Sequence, residues 1–470
     1  MKKILTILTV VSAVIFKAQN VITDNNFGNN GIYSFTNQTF GDSIIESVIQ
    51  PDGKILVAGQ RINGTNNSEL FVARLNTDGT LDTSFATNGF YTEYQNTSAY
   101  DPHLYTVNDK ILIFYPIQGV LIKLNINNGT PDTAFGTNGI LYLNQNLFRG
   151  ESVLIGSTLY AADSNSLHVI DVSSGTLSSH TISGLSNISG VYAAPNGNLL
   201  LKSYDTTNFT TSLTLINTIG IINTSFGVNG TIVAHNSPSL SDFESSYDYI
   251  TIDNSNNVYY AVSNDENITT IVKKIDSTGN FVTNFGTNGA YQYTNNITSD
   301  LLFYDNKLYL SGANLDGSNL NLFLSRLNTD GTLDNTFNNN GIFIFDTNSF
   351  NEWAESLNII SPTTIIIAGE YSGTNNNTPY VGKFIVTPNL STTELDSENI
   401  VHIENPVKSE LIIKSSEKID TIQLFSVDGK LVKSIKHNNN TQVSDLTKGI
   451  YIVKIKLQNG KVMMKKIIKE

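Results

Sequence analysis

No cysteine occurs anywhere in the chain, which excludes disulfide staples, thiolate nucleophiles and cysteine-held metals together. Arginine is almost as scarce: Arg61, Arg74, Arg149 and Arg326 complete the set, too few and too scattered for a guanidinium cluster that would recognise carboxylate or phosphate. There is one tryptophan, Trp353. The six histidines, His103, His168, His180, His235, His402 and His437, show no pairing at metal-ligand spacing and read as surface or satisfied core residues. No glycine-rich phosphate loop precedes a helix. Past the first twenty residues, no stretch approaches the roughly twenty apolar residues of a spanning helix. The composition, 40% hydrophobic and 15% charged over 470 residues, is that of a globular chain held by buried area alone.

At the amino end, Lys2 and Lys3 precede the apolar run from Ile4 to Phe16 and the segment closes on Lys17-Ala18-Gln19, the layout of a secretory signal peptide over residues 1–18 with cleavage between Ala18 and Gln19. An uncleaved anchor is the alternative, disfavoured by the short apolar core and by Lys17. The net charge of −13 is unevenly spread: Asp396 to Glu470 carry 13 Lys against 9 acids, whereas the stretch between leader and tail nets −20. Two bodies are implied, and the acidic one would repel nucleic acid and anionic lipid.

A pattern of Phe, two variable residues, Asn and Gly recurs six times, from Phe27 to Gly31, Phe85 to Gly89, Phe135 to Gly139, Phe226 to Gly230, Phe285 to Gly289 and Phe337 to Gly341. Each later copy follows an apolar strand and a polar turn, nearly identical in Asn76-Thr77-Asp78-Gly79-Thr80-Leu81-Asp82 and in Asn328 to Asp334. A seventh, eroded copy runs from Ile170 through Gly175 to Gly184 without its Phe. Between these units lie seven further reversals flanked by apolar strands, at Pro51-Asp52-Gly53, Asn108-Asp109, Gly156-Ser157, Pro195-Asn196-Gly197, Asn254 to Asn257, Asp305-Asn306 and Ser361-Pro362. Such turn residues supply the φ values of a hairpin, and the absence of any long 3.6-residue period predicts few helices.

One hairpin plus one strand, turn and strand makes a four-stranded blade, and seven of them close a ring. The chain opens on a bare Phe27 to Gly31 with a strand behind it, while the last unit, Tyr380 to Val386, stops without its own copy. Residues 24 to 35 should then complete the last blade and cover its open edge. On these residues the segment from Asp24 to Pro388 resembles the delta-60 repeat family of β-propellers, so the expectation is an all-β fold with a seven-bladed β-propeller over residues 19–388. A pair of β-sandwiches or a β-helix is the alternative.

Residues 389–398 read as a polar linker. Beyond it, Asn405-Pro406, Asp428-Gly429 within an alternating strand, and Gly449-Ile450-Tyr451 before another predict a small antiparallel β-sandwich over 399–470. In order and spacing these motifs resemble the type A C-terminal sorting domain of the type IX secretion system. Ile403-Glu404 departs from the aromatic and Pro usual before Asn405-Pro406, a departure that bears on the first strand's edge. The resemblance implies export through the periplasm across an outer membrane, release or attachment at the cell surface, the secretion machinery as a partner, and a source in the Bacteroidota.

Candidate sites are few. Asn76, Asp78 and Asp82 offer oxygen ligands in one turn, yet cognate turns carry Ile219, Thr278 and Val282, so a hairpin capped by side chains is favoured over calcium. The turns faintly resemble the sialidase Asp-box, but the box's Trp is missing, and Arg74 and Arg326 occupy equivalent repeat positions and so cannot converge. Glu46, Glu151 and Glu355 stand just before their hairpins; a ring can bring such acids together for glycoside cleavage, although structural carboxylates are the plainer reading. The sequence therefore points to a secreted, non-catalytic module for an extracellular glycan or protein, with no cofactor. A carbohydrate-active hydrolase or lyase is the runner-up and a surface scaffold the third reading. An enzyme should bring unlike acids from several blades together, a binder should expose aromatics on one face, and a scaffold should do neither.

Overall fold

A computed structural model of the chain describes residues 19–35, 42–62, 68–94, 102–143, 150–338, 340–347, 351–372, 377–388, 401–415, 417–426, 430–436, 440–458 and 462–470. The leader up to Ala18, the linker, Arg149, His437 and the Asp428-Gly429 turn lie outside the described residues. Two compact units result, residues 1–389 and 390–470.

The first unit contains seven antiparallel sheets in chain order. Sheet 1 is Asp42–Ile49, Ile55–Ile62, Ser68–Leu75 and Phe90–Tyr94; sheet 2 is His103–Val107, Lys110–Tyr115, Val120–Asn125 and Ile140–Tyr142. Sheet 3 is Val153–Ile155, Thr158–Asp163, Ser166–Asp171 and Thr176–Thr181; sheet 4 is Ile188–Ala193, Leu199–Asp205, Thr210–Ile216 and Thr231–Asn236. Sheet 5 is Ser246–Ile252, Val258–Asn264, Thr269–Ile275 and Ala290–Thr294; sheet 6 is Asn296–Tyr304, Lys307–Asp316, Asn319–Asn328 and Ile342–Phe345. Sheet 7 joins Asn351–Ser361, Thr364–Ser372 and Asn377–Pro388 to two pieces from the amino end. Each of the seven reversals read from the sequence separates the first and second strands of one sheet. A single short helix, Leu240–Glu244, capped by Ser239, is found among the described residues.

At the amino end, Ile32–Ser34 pairs with Gly382, Val381 and Tyr380, inside the window assigned to the closing strand. Pairing also begins earlier than Asp24: Gln19–Thr23 pairs with Pro388 to Phe384, and the loop from Asp24 to Gly31 separates the two pieces. Sheet 3 differs from its neighbours for a local reason. Its third strand turns at Ser173-Ser174-Gly175 straight into Thr176–Thr181, so the Phe loop is absent.

Successive sheets share apolar cores. Leu56 and Ala58 meet Ile111 and Ile113 between sheets 1 and 2, and corresponding clusters join sheets 2 and 3, 3 and 4, 4 and 5, 5 and 6, and 6 and 7. Sheet 7 packs on sheet 1 as well, through Ile366, Ala368 and Val381 against Ile55, Val57 and Phe71.

The repeated Phe and the repeated turn Gly fit each other across these interfaces. A Cβ on Gly79 would lie 2.8 Å from the Phe27 ring, one on Gly129 2.5 Å from the Phe85 ring, and one on Gly331 2.9 Å from the Phe285 ring. The residue after each of these Phe donates its backbone N–H to the same turn: Gly28 to Asp78 O, Ala86 to Asn128 O, and Gly286 to Asp330 O, all at 2.7 Å. The turn glycine therefore meets two demands, a left-handed φ of +80° at Gly79 and room for the previous repeat's ring. Where the eroded copy lacks Phe, Ile182 takes its place, 2.6 Å from a Cβ built on Gly220.

The second unit has a three-stranded sheet, Val401–Ile403, Glu410–Ser415 and Asn440–Gln442, and a four-stranded sheet ordered Leu431–Lys436, Ile419–Ser426, Gly449–Leu457 and Val462–Lys469. Leu411, Ile413, Leu424, Tyr451, Val453 and Ile455 fill one core between them. Asn405 Oδ1 accepts the N–H of Ile468 at 2.8 Å, and after Pro406 the N–H of Val407 reaches Ile468 O at 2.7 Å. Tyr451 donates its hydroxyl to Thr447 O at 3.0 Å, holding the bend in which Gly449 opens the next strand.

Candidate ligand-binding site

The first strands of the seven sheets carry the unlike polar groups. Four of them share one irregularity: the register skips Ile45, Ser189, Ser299 and Glu355. Opposite three of these bulges the second strand carries Gly59, Gly312 and Gly369, where a Cβ would fall about 2 Å from a first-strand carbonyl (1.9, 2.0 and 2.1 Å). The residue after each bulge is Glu46, Gly190, Asp300 or Ser356, paired with Ala58, Lys202, Ser311 and Ala368.

Three of those residues do the same work toward the next sheet. Glu46 accepts the N–H of Leu104 at 2.7 Å, Asp300 that of Leu357 at 2.8 Å, and Ser356 that of Ser47 at 3.1 Å. Glu355 is the bulged residue one register place earlier, whereas Glu151 precedes Ser152 and Val153 as Glu46 precedes Ser47 and Val48, so the three acids paired by sequence occupy two rows. Glu355 accepts from Trp353 Nε1 at 2.7 Å.

The acids nevertheless feel one another. Burial pushes the Glu46 carboxyl well above the usual range, with Glu151 adding to the rise, the Leu104 N–H opposing it and Asp300 contributing further. Asp300 is pushed up to about 7, by burial first, against the Leu357 N–H and with the help of Glu151. Carboxyls of other sheets therefore help to raise Glu46 of sheet 1 and Asp300 of sheet 6, with burial the larger cause.

A cation stands in sheet 4 where the repeat keeps small or apolar residues. Lys202 occupies the place of Ala58, Ala261 and Ala368 in its neighbours and is only 7% exposed. Burial opposes its charge, but Tyr192, Tyr204 and Asp248 outweigh that and hold its pKa well above the ordinary value. Asp248 accepts from Tyr204 at 2.9 Å, from Thr211 at 3.3 Å and from Tyr260. The buried Tyr192 hydroxyl has no hydrogen-bond partner among the described residues. Nothing in the Phe and Gly periodicity signals this group; the departure of Lys202 from the Ala-bearing pattern is the one sign the sequence offered.

The motif turns are occupied by structure. Asp78 accepts from Thr80 N at 3.0 Å and Thr80 Oγ1 at 2.7 Å. Asp82 accepts from Arg74 Nε at 2.8 Å, Lys54 Nζ at 2.7 Å and Ser84, and Arg326 with Lys307 repeats this on Asp334. Arg74 and Arg326 each lie over their own repeat's Phe, both at 4.6 Å from the centroid, and Lys123 over Phe135 at 4.8 Å. Each reaches on to the next sheet: Arg74 to Asn127 O at 2.8 Å, Lys123 to Val172 O at 3.0 Å, and Arg326 to Gln19 Oε1 at 2.7 Å. Gln19, named for its place at the leader junction, is thus held by sheet 6.

His168 is satisfied by Asp163 at 2.7 Å and Ser179 at 2.8 Å, and among the described residues no group of three or more His, Asp or Glu is placed to hold a metal. A groove of about 780 Å³ lies elsewhere, lined by Ile32, Tyr33, Thr80, Phe345 and Tyr371 and by none of the first-strand groups above.

No curated protein matches the chain in sequence. Among solved structures it is similar to a catalytically inactive virginiamycin B lyase of Staphylococcus aureus with quinupristin, at 11% identity and a TM-score of 0.47, over 75% of this chain and 98% of that one. It is also similar to the WD40 domain of Toxoplasma gondii coronin, at 11% and 0.48 over 79% and 90%. A third is the extracellular domain of a putative one component system of B. thetaiotaomicron, at 12% and 0.41 over 97% and 58%. Residues 50–85 and 305–337 match the family described as a domain of unknown function (DUF5122) beta-propeller, and residues 405–470 match the secretion system C-terminal sorting domain. The chain thus carries β-propeller repeats of the DUF5122 family and ends in a type IX C-terminal sorting domain.

Proposed function

We propose that the chain leaves the cell by the type IX route and acts at the surface or in the medium as a seven-bladed β-propeller that binds an extracellular glycan or protein without turning it over. Support for the ring comes from the seven sheets, the strands that the amino end adds to sheet 7, and the core that sheet 7 shares with sheet 1. Export is supported by the sorting domain over residues 405–470.

The observation that carries the binding reading is the asymmetric polar group on the first and second strands. Lys202, Tyr192, Asp248, Asp300 and Glu46 break the repeat on the first and second strands of their sheets, and carboxyl, phenol and ammonium groups suit a hydroxyl-rich ligand. Glu46 and Asp300 already accept a neighbouring N–H, as Ser356 does, which favours a structural over a catalytic use of both acids. The test is a glycan array run beside a reducing-end assay on the mature chain. Retention without release is expected, weakened by Lys202→Met; release of reducing ends would overturn this reading.

A second reading, a carbohydrate-active hydrolase or lyase, is favoured by one specific feature: Asp300, at about 7, is poised to hold or give up a proton near neutrality. It requires Asp300→Asn to abolish release.

A further inference from the structure

The sorting unit has a sheet face whose composition does not suit water alone. Gly449–Leu457 and Val462–Lys469 pair Ile450 with Ile468, Ile452 with Lys466, Lys454 with Met464 and Lys456 with Val462. Alternate residues Tyr451, Val453, Ile455, Leu457 and Ile467 fill the core, so the other set faces outward. An outward face of an antiparallel sheet is ordinarily polar. Here it carries five apolar residues and three lysines, and neither strand contains an acid. Ile450, Val462, Met464 and Ile468 are 41, 48, 54 and 46% exposed. Phe425, half-buried, adjoins Ile452 across the next pair.

We propose that this face docks a partner protein whose surface is acidic, with apolar side chains among the acids. Charge complementarity sets the sign: Lys456 has only a loose approach to Asp420 at 3.6 Å, and Lys454 and Lys466 make no ion pair among the described residues. A desolvated ammonium needs a carboxylate, while the interleaved Ile, Val and Met need an apolar surface. Anionic lipid fits less well, because a polybasic membrane patch ordinarily gathers roughly four to eight cations, and here three lysines are spaced among apolar side chains. The occupant is a carrier or receptor met during export, and the face is independent of the polar group in the first unit.

The test uses the full chain in its secreting bacterium, with Lys454→Glu/Lys466→Glu compared with Lys414→Gln on the other sheet. The reversal should lower surface and extracellular protein about tenfold, a change of about 1.4 kcal/mol in binding, with matching accumulation in the periplasm and an unchanged melting temperature of the purified chain. Lys414→Gln should be exported like the parent. If the reversal fails to fold, Lys454→Gln/Lys466→Gln carries the test with a smaller fall in the same direction. Parental export of the folded lysine variants would overturn the proposal. So would sedimentation of the purified chain with phosphatidylglycerol vesicles, but not phosphatidylcholine vesicles, that is lost on Lys454→Glu/Lys466→Glu.

Discussion

Arg74 shows how much one repeat position does at once: it neutralises Asp82, covers Phe85 and satisfies carbonyls of the next sheet. Removing it leaves a buried carboxylate with Lys54 as its one remaining ion-pair partner beside the Ser84 hydrogen bonds, so Arg74→Met should cost about 3 kcal/mol in urea unfolding. Arg74→Lys should cost only about 1.5 kcal/mol, because the Lys123 repeat keeps the cation and one inter-sheet bond with a lysine. Asp300 behaves in the opposite way to Asp82. Its folded pKa, about 7, lies above the ordinary value of 3.8, so its stabilisation is complete below about 3.8 and is lost as pH rises through 7. Burial works to raise Asp82 too, but Lys54 and Ser84 outweigh it and hold that carboxyl low, so its contribution is lost instead as pH falls. Stability should therefore decline between pH 5 and 8 by roughly 2 kcal/mol through Asp300, and Asp300→Asn should flatten that slope in unfolding curves taken across the range.

Among the turns and strands, two glycines with nearly the same backbone separate conformation from packing. Gly79 and Gly197 have φ of +80° and +84°, but a Cβ on Gly79 would strike Gly28 N at 2.6 Å and the Phe27 ring, whereas Gly197 has nothing within 4 Å. Gly197→Ala should cost about 1 kcal/mol from backbone strain alone. Gly79→Ala should cost about 3 kcal/mol, since the Phe27 latch must also shift; equal costs in calorimetry would remove the latch from this account. The repeat period and turn residues made strands and reversals legible from sequence. The bulges were not, because their mark is only the Gly of Ala58-Gly59, Ser311-Gly312 and Ala368-Gly369, and glycine in a strand has several meanings.

For the whole first unit, the amino-terminal pieces bury Val21, Phe27 and Phe35 in the cores beside sheet 7. Losing two such Phe at about 3–5 kcal/mol each and the Val as well approaches the entire stability of an ordinary domain, about 5–15 kcal/mol. Deleting residues 19–35 should therefore abolish the cooperative melting transition seen by circular dichroism; a transition within a few degrees of the parent's would count against closure by these strands.

The periodic part of this protein was written in the order of its residues: an alternating strand pattern, turns that need Gly or Asn, and two bodies of opposite charge, because each follows from neighbours along the chain. It took the folded arrangement to establish that Phe27 packs on Gly79, that Gln19 lies against Arg326, and that Lys202 stands among Tyr192, Tyr204 and Asp248. Phe27 with Gly79, Gln19 with Arg326, and Lys202 with Asp248 join residues from different repeats, and spacing within a repeat carries no information about which side chains meet where separate sheets come together.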